Sequence, residues 1–167
     1  MDTNPIRTCP FYNLIVQCRE QLVRMEAIMT KDILITITGK QQGVDENPVT
    51  IELPGSYHMA NGKHYIQYDE ENVEIGKSIR NMLKISDSHV TYSKRDAMQT
   101  RMEFEINETT QMNYYTNYGN LSFDINTSKI DIQEHSDTLV VKLEYTLTNN
   151  GAPVSENILH ILVKART

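Results

Sequence analysis

The chain has 167 residues, 39% apolar and 23% charged, with a net charge of −6 and a pI near 5.3. That length suits one domain with one sizeable core, and the composition is too apolar for disorder. The acidic balance argues against nucleic acid and anionic membrane surfaces, both of which call for a basic patch.

The first 28 residues differ from the rest. Pro10 suits a first helical turn, with Thr8 or Cys9 near the cap. Phe11, Leu14, Ile15, Cys18, Leu22, Met25 and Met29 recur at steps of three and four, and Gln17, Arg19, Glu20, Gln21, Arg24 and Glu26 fill the other side. This is the stripe of an amphipathic helix. Three readings stay open for it: a helix packed on the domain's own surface, a partner-binding helix, or a prefix preceding a natural start at Met29. Cys9 and Cys18 fall roughly on opposite faces of one helix, which excludes a disulfide within it. No long apolar span and no secretory leader pattern is present, so a cytoplasmic protein is expected. The three Asn-x-Ser/Thr triplets at Asn107, Asn120 and Asn126 then read as strand composition rather than glycosylation sites.

From Thr30 onward the period is two. Ile33, Ile35 and Ile37 open the series, then Val49, Ile51 and Leu53, then Ile66 and Tyr68. Ile79, Leu83 and Ile85 follow, then Val90 and Tyr92, then Met102, Phe104 and Ile106. Met112, Tyr114, Thr116 and Tyr118 come next, and Leu139 to Leu147 and Leu159 to Val163 close it. One apolar and one polar face per strand marks antiparallel sheet with one wet side. Asn61-Gly62 is a two-residue hairpin signal, and Asp87-Ser88, Asn107-Glu108, Ser136-Asp137 and Asn149-Asn150-Gly151 are further turns. Thr116 to Ile132 keeps alternating but is interrupted by Asn126-Thr127-Ser128. The interruption predicts a turn or a second bend, and the segment two or three consecutive strands. About ten strands joined by hairpins, with no helical crossovers, predict an all-β antiparallel meander closed into a barrel of about 8–10 strands. The barrel occupies residues 29–167, behind the N-terminal α-helix of residues 1–28.

Several features resemble the YwiB-like proteins, a bacterial domain of unknown function. They run in order as Gly55-x-Tyr57, Tyr65, Tyr68-Asp69-Glu70, Met102-x-Phe104, Thr116-x-Tyr118-Gly119-x-Leu121, and Tyr145-x-Leu147 followed by Gly151, Val154-Ser155, Asn157, Leu159 and Ile161. The resemblance implies a calycin-like, lipocalin-type up-and-down barrel and starts at about Met29. It implies no known activity and no catalytic residues.

Chemistry-bearing motifs are few. Ile75-Gly76-Lys77-Ser78 ends like a phosphate loop, but Glu71 stands where that loop needs a glycine. His58 and His64 have the spacing to meet across the Asn61-Gly62 hairpin, against the plainer reading of two exposed hairpin histidines, and no third ligand is suggested. No metal, cofactor or catalytic group is expected, and the chain reads as a non-enzyme. The nine tyrosines are more informative. Tyr68, Tyr114, Tyr118 and Tyr145 fall on the inward parity of their strands, and Glu70 shares parity with Tyr68 near a barrel mouth. With Tyr57 they are the candidate ligand contacts, for a small hydrophobic or amphipathic molecule with a polar end. The alternative is a barrel filled by its own side chains, meeting a partner through its helix or outer face.

Overall fold

The computed structural model describes residues 31–43, 47–73, 76–96, 99–116 and 118–166. The helix expected within residues 1–28, and both cysteines, lie outside the described residues. Ten strands follow in chain order. They are β1 (Lys31–Gln41), β2 (Val49–Ala60), β3 (Lys63–Asn72), β4 (Lys77–Ser86) and β5 (His89–Arg95). Then come β6 (Arg101–Glu105), β7 (Thr109–Thr116), β8 (Gly119–Glu134), β9 (Thr138–Asn149) and β10 (Ala152–Ala165).

They form one sheet in the order β6-β5-β4-β3-β2-β1-β10-β9-β8-β7. Sequence neighbours pair antiparallel, and β1 also pairs with β10, from Ile33 opposite Ala165 to Gln41 opposite Asn157. The meander therefore curls into a nearly closed barrel with one seam, between β6 and β7. There no ladder forms among the described residues. The Thr110 hydroxyl instead donates to the Glu103 carbonyl across the seam. The Glu108 amide donates to the Glu105 carbonyl at 3.3 Å in the connecting turn.

Hairpin chemistry explains the tight connections. Asn61 and Gly62 have φ of 52° and 70°, as a type I′ turn requires, and Asn150-Gly151 repeats this at 49° and 79°. Gly55 marks a place where strands approach closely. A Cβ there would lie 2.5 Å from the Gln67 carbonyl oxygen and 3.2 Å from Ile33 Cδ1. Only a residue without a side chain fits.

The interrupted segment resolves differently from the expectation. β8 is one continuous strand of 16 residues, not two or three, and of the two expectations for Asn126-Thr127-Ser128, turn or bend, it is the bend, as a β-bulge, that is found. Thr127 pairs with Tyr145 and Lys129 with Glu144, so Ser128 is an extra, bulged residue whose hydroxyl donates to the Glu144 carbonyl at 3.1 Å. The physical reason is parity. Phe123, Ile125 and Thr127 use odd positions to face inward, whereas Ile130 and Ile132 use even ones. One inserted residue keeps both sets on the interior face, because a one-residue slip swaps the faces of a strand.

The core fills one end of the barrel. Ile33, Ile66, Ile85, Val90, Leu139, Val141 and Val163 are all buried there, several completely. Thr127 is buried at 6% exposure, and its Oγ1 has no hydrogen-bond partner. An unsatisfied buried hydroxyl costs about 1–3 kcal/mol. Thr127→Val should therefore raise stability by about 1 kcal/mol or more, read as a higher urea midpoint at an unchanged slope. A lower midpoint would mean that an interior water holds the hydroxyl.

Candidate site: an interior cavity at one end of the barrel

Moving along β1 from Ile33 to Ile37, the packed core gives way to a cavity of about 310 Å³. Its apolar wall is Ile37, Ile51, Leu83, Met102, Phe104, Leu143, Leu159 and Ile161. Tyr145 joins it from β9, and its ring meets Phe104 edge-on with centroids 4.9 Å apart and planes at 61°. Burial raises the Tyr145 hydroxyl above its ordinary pKa.

The rest of the lining is a polar corner of Tyr68 and Glu70 from β3 and Tyr92 and Lys94 from β5, backed by the buried Asn81 of β4. Tyr68 on β3 lies opposite Asn81 on β4, which lies opposite Lys94 on β5. The Tyr92 hydroxyl donates to Asn81 Oδ1 at 2.8 Å, and Asn81 Nδ2 donates to the Ile79 carbonyl at 3.2 Å. The Tyr68 hydroxyl lines the cavity beside them. Asn81 is fully buried, so these bonds satisfy an amide that would otherwise be expensive to place inside. At the margin Lys94 Nζ meets Glu70 Oε2 at 3.2 Å, with both side chains partly exposed. Burial pushes the Tyr68 hydroxyl well above its ordinary pKa, helped by Tyr92 and the Glu70 charge. Burial likewise pushes Tyr92 up to about 12, with Glu70 and Asp96 adding to it.

Of the sequence candidates, Tyr68, Glu70 and Tyr145 come together in this cavity. Tyr57 does not. It sits near the opposite end, where its hydroxyl shares a 3.0 Å hydrogen bond with Nδ1 of the buried His64. His64 Nε2 lies 4.0 Å from Glu134 Oε2, and burial together with the Glu134 charge raises the Tyr57 pKa. A pocket of about 90 Å³ adjoins Tyr57 and Glu134. Tyr114 and Tyr118 are not in the cavity either: they are exposed, at 38% and 102%. The β7–β8 hairpin extends beyond the filled interior, so inward parity there meets solvent, and Tyr118 stands in the turn itself. His58 and His64 do not meet. His58 pairs with Tyr65 and Met59 with His64, which puts the two imidazoles on opposite faces, and His58 stacks on Tyr65 at 4.9 Å. Nor are they two exposed histidines, since His64 is 7% exposed. Among the described residues no three metal-ligating side chains cluster. No helix among them is long and apolar enough to cross a membrane.

Sequence reasoning missed Asn81, Tyr92 and Lys94. A signal was present: Asn81 is a polar residue at inward parity between Ile79 and Leu83, and Lys94 shares parity with Val90 and Tyr92.

Fold and site together define a small antiparallel β-barrel that is packed at one end and hollow at the other. The chain belongs to the family described as Domain of unknown function (DUF1934), whose model matches residues 35–161. Its fold is similar to that in the crystal structure of the ywiB protein from Bacillus subtilis, with a TM-score of 0.71 at 16% identity. The match covers 86% of this chain and 99% of that one. No curated protein matches the sequence.

Proposed function

We propose that this barrel binds a small hydrophobic or amphipathic molecule in its cavity and performs no chemistry on it. The observation that carries the reading is the cavity itself: about 310 Å³, mostly apolar, with one polar corner of convergent groups. Ligand pockets have this build and start at about 300 Å³. The non-enzymatic part is supported by the tyrosines. Raised pKa values hold Tyr68, Tyr92 and Tyr145 in their neutral forms, which makes them poor nucleophiles and bases.

The test is the intact mass of the protein purified from its own host, under native and denaturing conditions. Excess mass of a few hundred daltons or less is expected in the native spectrum only (about a dozen heavy atoms fill such a cavity). A ligand-free native spectrum, together with no thermal shift across a small-molecule panel, would sink the reading.

One observation favours a second reading, contact with a protein partner. Met112 to Phe123 contains no charged residue, and Tyr114, Tyr115, Tyr118 and Leu121 are exposed along it. Tyrosine-rich, charge-poor surface is typical of interface cores. In the same native spectrum this reading predicts an oligomer that Tyr115→Ser with Tyr118→Ser returns to monomer.

A further inference from the structure

We infer that the cavity selects a neutral hydrogen-bonding head group on a short apolar chain, a primary amide or an alcohol, over a carboxylate or an ammonium of the same length. This rests on the ligand-binding reading and narrows it.

Charge balance is the first observation. Glu70 and Lys94 neutralise one another at 3.2 Å beside the cavity. A ligand carboxylate drawn to Lys94 must share it with Glu70 or displace it. Displacement leaves the Glu70 carboxylate without its nearest cation beside Tyr68 and Tyr92, so the exchange brings no net gain in charge pairing. The local field already opposes a second anion: Glu70 acts on both Tyr68 and Tyr92, and Asp96 adds to it at Tyr92. A ligand ammonium has the mirror problem, because the cation position at Glu70 is held by Lys94.

The direction of the hydrogen bonds is the second observation. Tyr92 donates to Asn81 Oδ1 at 2.8 Å, and Asn81 donates to the Ile79 carbonyl at 3.2 Å. Tyr92 thus commits its proton to the protein wall and keeps its oxygen lone pairs as acceptors, while the Tyr68 and Tyr145 hydroxyls, which both donate and accept, line the same cavity. Lys94 carries three N–H groups and spends one on Glu70. The corner thus offers acceptors together with a donor and no net charge. A head group that both donates and accepts, as an amide or hydroxyl does, matches all of it. Size sets the chain. The volume is about twice the ~150 Å³ that accommodates a benzene, which leaves room for about a dozen non-hydrogen atoms.

The experiment is a calorimetric titration of the full chain, near neutral pH and at low salt, with four probes sharing one alkyl chain: octanamide, 1-octanol, octanoate and octylamine. Octanamide and octanol are expected to bind at least about ten-fold tighter than either charged probe. Equal or tighter binding of octanoate or octylamine overturns the inference while leaving the binding reading intact. Binding of none of the four, at concentrations where the alkyl chain alone would fill the cavity, defeats both. Glu70→Gln provides a second arm at a side chain exposed enough to tolerate it. Removing the carboxylate leaves Lys94 without its counter-charge, so octanoate should gain about ten-fold relative to octanamide. No gain for octanoate in that variant also overturns the inference.

Discussion

Phe104→Ala is expected to cost about 3–5 kcal/mol of stability, the range for deleting a fully buried aromatic ring. Phe104 is 2% exposed and sits on β6, which has only five residues and one ladder, to β5. Its ring meets Tyr145 of β9, a strand that is not its sheet neighbour. The two rings therefore join the halves of the barrel behind the seam where β6 and β7 form no ladder. Deleting one removes both the burial and the bridge. Relaxation offers little relief, because the vacated space adjoins the cavity and enlarges it instead of collapsing. Urea unfolding of the variant measures the loss. Phe104→Leu should recover most of it, since it restores volume without the edge-to-face contact. A loss below about 1 kcal/mol for the alanine variant would show that the seam is held by the backbone and the Thr110–Glu103 bond alone.

The strands were legible because period two leaves a plain trace wherever one face is buried. Ile33-Ile35-Ile37 and Leu139 to Leu147 are unambiguous, and Asn61-Gly62 and Asn150-Gly151 announce their hairpins through the positive φ they must adopt. At Ser128 the sequence leaves turn and bend open, because a polar triplet has the composition of either. Only the switch of inward parity, from Ile125 to Ile130, distinguishes the two, and it becomes decisive once the pairing with β9 is known. Tyr114 and Tyr118 were misplaced for a related reason. Parity says which way a side chain points, not whether any interior remains at that height of the barrel. The polar corner was half legible. Glu70 and Tyr68 follow from parity, but Lys94 lies 24 residues from Glu70 and on a strand that is not adjacent to β3. A partnership that steps across β4 leaves no mark in local periodicity.

The tyrosines make alkaline pH the second large perturbation. Tyr68, Tyr92, Tyr145 and Tyr57 all have raised pKa values in the fold, chiefly through burial, from an ordinary value of 10.0. The folded state thus holds these phenolic protons more tightly than the unfolded chain does. Their contribution to stability is fully present below pH 10 and is lost as pH rises through the folded values, which for Tyr92 is about 12. Each such tyrosine contributes a slope of up to about 1.4 kcal/mol per pH unit in that window, less for Tyr92 and least for Tyr57, because solvent reaches them. Several acting together exceed the margin of a typical domain. The urea midpoint should therefore be flat with respect to these groups up to pH 10 and fall steeply towards pH 12, with phenolate absorbance rising cooperatively at the unfolding step. Tyr92→Phe separates the contributions. It loses the bond to Asn81, so it starts less stable at neutral pH, yet its decline above pH 10 should be shallower. A midpoint that stays level between pH 10 and 12 would mean that these hydroxyls ionise in the folded barrel at their ordinary value. The Tyr92 proton also sets the direction of the Tyr92–Asn81 bond at the cavity wall. Any preference of the cavity for a neutral head group should therefore disappear in the pH range where the fold gives way, and not before it.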